Sequence, residues 1–198
     1  MSAAILGQMT AKQYTGKNAS DLASAVGTAV SGYIVTPNLV SCTLSGVAGP
    51  LGNIQSVAVA GIEPNSMSTL MYTRALNKNI SGRDIGGLFS AVSTGIVQIL
   101  QGLVLTGTAI GIATGGGTGF FTAVNEKTLS GLIFAQMTLR QMTGKNARDL
   151  SDCISYGVVT QLKTTAKVTV VSAGTIAPVA PTGPVAVTGI PSATTSIS

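Results

Sequence analysis

Apolar positions recur at helical intervals in three well-separated stretches of this chain. Leu22, Val26, Val30 and Ile34 form one series; Leu88, Val92, Ile96 and Ile99 a second; Leu150, Ile154, Val158 and Leu162 a third. Steps of three and four place each series on one side of a helix. Ala, Ser and Gly fill the other sides, which suits helices packed closely on several faces. A second helix is expected ahead of each series, over Ala3–Tyr14, Ser66–Ile80 and Leu129–Met142. In the last of these Ile133, Met137 and Met142 are interleaved with polar Gln136, Arg140 and Gln141. After each series the pattern changes. "NLVSCTLSGVAGPLG" from Asn38, "GLVLTGTAIGIATGGGTG" from Gly102 and "KVTVVSAGTIAPVAPTGPVAVTGI" from Lys167 are rich in Val, Thr and Ile and broken by Gly and Pro. Such runs predict short strands and turns, and Gln55–Ile62 adds a second strand to the first set.

The three stretches are copies of one another. "TGKNASDL" at positions 15–22 returns as "TGKNARDL" at 143–150, and "ISGRDIGGLF" from Ile80 is a weaker relative. Anchoring on Gly16, Gly82 and Gly144 gives steps of 66 and 62 residues, so the chain reads as tandem repeats. The boundaries are 1–64, 65–124 and 125–174, followed by an extended Pro/Thr/Ser-rich arm over 175–198, all in a single compact domain. The expected fold is α+β: three helix–Gly corner–helix units, each followed by short strands or a hairpin. At each corner the glycine is expected to end the first helix in a left-handed cap. Lys17, Arg83 or Lys145 then lies near the negative end of that helix. Asn18, Asp84 or Asn146 starts the next helix as its N-cap, with Asp21 or Asp149 three residues beyond the asparagine in the outer copies.

Composition changes this picture in one direction. Only 9% of residues are charged, against about 25% in ordinary globular proteins. The mean hydropathy is +0.48, high for a small monomer. A chain with so little charge for its own surface is expected to meet other protein over much of its exterior. Beyond Lys167 no charged residue remains, and a neighbouring subunit is the expected holder of that arm. The net charge of +5 comes from scattered residues with no Lys/Arg run and no interleaved aromatics, which argues against a nucleic-acid partner. The uncharged run Gly95–Ala113 has the length of a membrane span, but Gln98, Gln101, Gly102, Gly107 and Gly111 interrupt it. Helix followed by strand explains it better. The opening residues lack the basic segment of a secretory signal.

Catalytic chemistry finds little support. Without histidine, Ser-His-Asp and Cys-His arrangements are impossible, and Cys42 and Cys153 lack metal-site spacing. Both read as small buried apolar side chains. Asp149 and Asp152 share a helical face, but helix-start roles account for the carboxylates here without acid–base work. Gly115–Gly119 lacks the Lys-Ser/Thr of a phosphate loop and reads as a turn between strand and helix. Lys17, Arg83 and Lys145 could together contact an anion or a partner, although helix-end electrostatics is the simpler role. No catalytic, metal-binding or cofactor-binding residue is expected, and no cofactor.

The stretch "LMYTRALNKNISGRDIGGLFSAVSTGIVQIL", Leu70–Leu100, partly follows the phrase GLxxxxxxxGxTGRDxxxLFxAVSxGI. In this it resembles small virion structural proteins of tailed bacteriophages, contractile-tailed ones especially. The likeness covers the middle third directly and the outer thirds through the repeat. It implies a non-enzymatic subunit of a symmetric particle (capsid, neck or tail), made in the host cytoplasm and residing in the virion. Its partners would be copies of itself and other virion proteins, with no small-molecule substrate and no membrane. The alternatives are a membrane-associated oligomer or pore using Gly86–Gly117, and an adhesin-type ligand-binding module using loops near Gly115–Gly119.

Overall fold

In the computed structural model, residues 1–34, 62–101 and 124–164 are described in full and six strands elsewhere by their backbone. The chain divides into two compact units, where the sequence suggested one domain. The first gathers Met1–Ile34, Glu63–Leu100 and Val124–Thr164; the second gathers Val35–Ile62, Gln101–Ala123 and Thr165–Ser198.

The first unit is built from helices α1 (Ser2–Ala11), α2 (Lys17–Ile34), α3 (Pro64–Leu76), α4 (Ile85–Gln101), α5 (Glu126–Thr138) and α6 (Lys145–Thr164). The apolar series are its core except for Leu22 and Leu150, which are half-buried. Val26, Val30, Val92, Ile96, Ile154 and Val158 are fully buried. Helix starts follow local chemistry. Pro64 occupies the first turn of α3, where a missing N–H costs nothing. The Asn125 side chain accepts from the N–H groups of Lys127 (2.9 Å) and Thr128 (3.3 Å) to start α5.

Small residues set how closely the helices approach. A Cβ on Gly157 of α6 would lie 3.1 Å from the backbone nitrogen of Ile5 in α1. One on Gly95 of α4 would lie 3.0 Å from that of Ile133 in α5. Ile5 and Ile133 are repeat equivalents, as are Gly95 and Gly157, so the same contact is made twice between different copies. The third pair by position is Met71 and Ala29, both buried, on the packed helices α3 and α2. The leading helix of copy one thus lies on the second helix of copy three, that of copy three on copy two, and that of copy two on copy one. The helical unit closes on itself in cyclic order.

This overturns the α+β class expected from the sequence. Among the residues described in full, all regular structure is helical, six helices and no strand, and the buried core of this unit is helical apart from Val124 just ahead of α5. The physical reason is that the apolar and small-residue faces of α2 and α6 are covered by leading helices of neighbouring copies. They need no strand layer to bury them.

The second unit is known by its backbone. Strands β1 (Ser41–Ala48), β2 (Gly52–Ala60), β3 (Thr106–Ile110), β4 (Thr114–Phe120), β5 (Lys167–Ala173) and β6 (Val185–Val187) pair in the order β5-β4-β3-β2-β1-β6. All pairings are antiparallel, and the register shifts between Ser45 and Gly46 of β1, opposite which β2 carries the extra residue Gln55. Gly115–Gly119, expected as a turn, lies within β4, with Gly116 opposite Ile110 on one side and Val171 on the other. The run Gly95–Ala113 is likewise divided between α4 and β3. Among the described residues no helix is long and apolar enough to cross a membrane. Of the expected C-terminal arm, residues 175–184 and 188–198 lie outside the described residues.

Candidate functional site: the corner end of the helical unit

Each helix pair turns a corner, and the corners share one hydrogen-bond pattern. After α1 the Gln13 N–H donates to the Thr10 carbonyl (2.9 Å) and the Tyr14 N–H to that of Met9 (2.8 Å). After α3, Asn79 donates to Leu76 (2.9 Å) and Ile80 to Ala75 (2.9 Å). After α5, Gln141 donates to Thr138 (2.9 Å) and Met142 to Met137 (3.0 Å). Gln13, Asn79 and Gln141 have φ of 68°, 58° and 62°. This is the Schellman ending, which satisfies carbonyls left free at a helix terminus. Here its left-handed position holds no glycine. Two backbone hydrogen bonds offset the cost of a Cβ in that conformation.

The assigned roles of the corner glycines are therefore corrected. Gly16 (φ +95°) and Gly144 (φ +94°) end no helix; each stands immediately before one. Their carbonyls accept the first helical bonds, from Ser20 and Arg148, both at 3.2 Å. Nothing lies within 4 Å of a Cβ built on either, so backbone conformation alone demands glycine there. Gly82 is not among the residues of positive φ, and the helix after it starts later. Of the expected N-caps only Asp84 directly precedes its helix, its carbonyl accepting from Leu88 at 2.9 Å. Asn18 and Asn146 are second residues inside α2 and α6. The glycines supply the unusual φ at the helix entrance, leaving the asparagines free to be helical.

Lys17 and Lys145 also change place. Each begins the following helix and pairs with a carboxylate one turn on, Lys17 with Asp21 and Lys145 with Asp149 (3.1 Å). Arg83 Nε lies 3.4 Å from Asp84 Oδ1. The cation at the closing end of each first helix is instead Lys12, Lys78 or Arg140, and these reach across to a neighbouring copy. Lys12 Nζ donates to Asp149 Oδ1 (2.7 Å) and Asp152 Oδ2 (3.0 Å) on α6. Lys78 Nζ approaches Asp21 Oδ1 on α2 at 3.5 Å. Arg140 Nη2 donates to Ser90 Oγ on α4 at 2.8 Å, while its Nη1 donates to the Gln136 carbonyl at 2.8 Å. These three clasps follow the cyclic order of the helix packing. The repeated phrase begins downstream of all three, so it does not point to them. Positions 12, 78 and 140 recur at the same steps of 66 and 62, a signal that was present four residues upstream.

Charge coupling is densest where copies one and three meet. The Asp149 carboxyl is pulled down to about 2 by hydrogen bonds from Lys12 and Lys145. Burial pushes Asp152 up, but hydrogen bonds from Ser130 and Lys12 outweigh it and hold it below the usual carboxylate range. Lys12 is raised, chiefly by its hydrogen bond to Asp149. The Tyr14 hydroxyl lies 2.9 Å from Asn146 Oδ1 and 3.2 Å from Asp149 Oδ2, and burial followed by the Asp149 contact raises it. Asp21 is lowered, first by Lys17. Each carboxylate here has a structural partner.

Other chemistry is sparse among the described residues. No cluster of His, Cys, Asp and Glu there could hold a metal ion. Cys153 is a free thiol buried in α6, and burial raises it. Cys42 lies in β1, known by its backbone. Arg148 stacks over the Phe134 ring at 4.9 Å from its centre, binding α6 to α5. Comparison with protein-family models, curated proteins and solved structures finds no match to this chain.

Proposed function

We propose that this chain is a non-enzymatic structural subunit of a large symmetric particle, and that the particle is a bacteriophage virion in which it contacts copies of itself and other structural proteins. One observation supports the reading most. Every charged residue except Lys167 lies in the helical unit, so the whole second unit carries a single formal charge. A water-exposed unit of that size ordinarily carries charge in about a quarter of its positions. Cover by other protein removes the need for it. The helical unit, by contrast, has its own core, its own charged surface and locked corners, as suits a rigid spacer. Asp21, Asp149 and Asp152 serve clasps and Asp84 stands apart from them beside Arg83, which supports a structural over an acid–base role.

Light scattering and negative-stain microscopy of the purified chain test this. Regular oligomers of uniform shape at micromolar concentration are expected. A stable monomer that stays soluble with its nearly uncharged unit exposed would overturn the reading.

A further inference from the structure

We propose that the corner end of the helical unit is a docking surface for an acidic protein partner, gripped by one outward cation from each copy. The inference concerns a different surface from the uncharged unit and does not depend on the virion reading.

All three corners gather at one end of the unit. Lys12 and Tyr14 of the first corner touch Asp149 and Asn146 at the third. Lys78 of the second touches Asp21 beside the first. Arg140 of the third reaches Ser90 near the start of α4. The opposite end is marked by Met1, whose amino group donates to Gln161 Oε1 at 2.8 Å, close to the end of α6. Each helix pair begins and ends at that opposite end, as Ser2 and Ile34, Pro64 and Gln101, and Glu126 and Thr164 mark.

The corner ion pairs are lopsided in exposure. The Lys17 side chain is 78% exposed and its partner Asp21 14%. Lys145 is 85% exposed and Asp149 13%. Arg83 is 95% exposed beside Asp84 at 70%. Asp149 and Asp21 face inward to Lys12 and Lys78, Asp84 is itself exposed, and all three cations stand toward solvent. Lys12, Lys17, Lys78, Arg83, Arg140, Lys145 and Arg148 outnumber Asp21, Asp84, Asp149 and Asp152, so this end is net positive and an approaching surface meets positive charge first. An outward cation follows the corner glycine in all three copies, although the inner clasps differ from copy to copy.

The chemistry favours acidic protein over nucleic acid. The large exposed side chains at this end are Leu76 and Leu139, at the closing ends of α3 and α5, which give apolar contact of the kind found inside a protein rim of charge. Of the aromatics near this end, Tyr14 is held by Asn146 and Asp149, Phe134 lies beneath Arg148, and Tyr72, one turn before Leu76, is a single exposed ring, so no row of rings is presented for base stacking.

The test uses the full-length protein and a glutamate homopolymer of about twenty residues, with duplex DNA of equal charge as comparator. The Lys17→Glu/Arg83→Glu/Lys145→Glu triple variant is expected to weaken polyglutamate binding about tenfold or more, and each single variant about two- to threefold, since rim charges act additively and modestly. Lys127→Glu/Lys163→Glu, at the opposite end, is expected to change it less than about twofold. The Gln series at the same three positions repeats the measurement without charge reversal, with circular dichroism confirming an unchanged helical signal. Equal losses in the two sets, one residue carrying the whole effect, tighter binding to DNA than to polyglutamate, or no binding by the unaltered chain would each overturn the proposal.

Discussion

Where copies one and three meet, a lysine from α1 is shared by two carboxylates on α6, with a tyrosine hydroxyl and a serine completing the network. Where copies three and two meet, the equivalent arginine finds one serine hydroxyl on α4. The position matching Asp149 is Gly87 there, and that matching Asp152 is Ser90. Yet the two seams bring their helices equally close, through Gly157 against Ile5 and Gly95 against Ile133. Backbone approach and corner hydrogen bonds are common to the copies, while side-chain electrostatics differ. The lesson is that helix contact holds this unit together and the clasps adjust its seams.

Breaking the shared feature should cost most. Gly157→Val and Gly95→Val each place a side chain where backbone stands about one atom's width away, and each is expected to lose about 3 kcal/mol of stability, the upper range for overpacking. Thermal melts followed by circular dichroism measure both; a tolerated valine at one site alone would show that the seams are not equivalent after all. Gly144→Ala tests the corner instead of the seam. At φ +94° an alanine is strained, with an expected loss of about 1–2 kcal/mol and no change in which helices form.

The clasps should separate by pH. Asp149 is depressed, so its contribution is complete above the ordinary carboxylate value of about 3.9 and is lost as pH falls toward its own value of about 2. Urea midpoints measured from pH 5 down to pH 2, as a rough bracket of that window, should fall for the unaltered chain and fall less for Lys12→Met. Arg140→Met should leave the acid slope unchanged, because no carboxylate answers Arg140. An identical slope in all three proteins would mean that the Lys12 network is not what acid disrupts. The smallest expected effect runs the other way. Ser90→Asp gives Arg140 a carboxylate where copy three has one, and should raise stability by about 0.5 kcal/mol, as exposed pairs do. A Cβ at neighbouring Gly87 would also sit 3.6 Å from Arg140 Cδ, an ordinary contact, so the local space is adequate.

Much of the helical unit could be read from the chain. Period and spacing place the buried residues of α2, α4 and α6, because a helix that packs on several sides must carry apolar residues at intervals of three and four whatever covers it. The tandem repetition is plain in "TGKNAxDL". The corner itself was misread because a glycine between two helices satisfies two patterns: the left-handed end of the first or the entrance of the second. Only the carbonyl acceptors decide. Tyr14 bonding Met9 and Ser20 bonding Gly16 put the left-handed residue that closes the first helix at Gln13 and the helix entrance at Gly16. The α+β class failed for a related reason. Short Val- and Thr-rich runs predict strands locally, but which layer closes a helical core is a matter of partners distant in sequence.

Local order along the polypeptide was enough to state where helices run, where they turn and that the turn is used again and again, since those depend on neighbours within a few residues. That Ile5 sits on Gly157, that Lys12 serves Asp149 and Asp152, and that the copies close in a ring were settled by folding alone. The first two join residues more than a hundred positions apart, and no periodicity in a chain encodes which of several similar helix faces will meet.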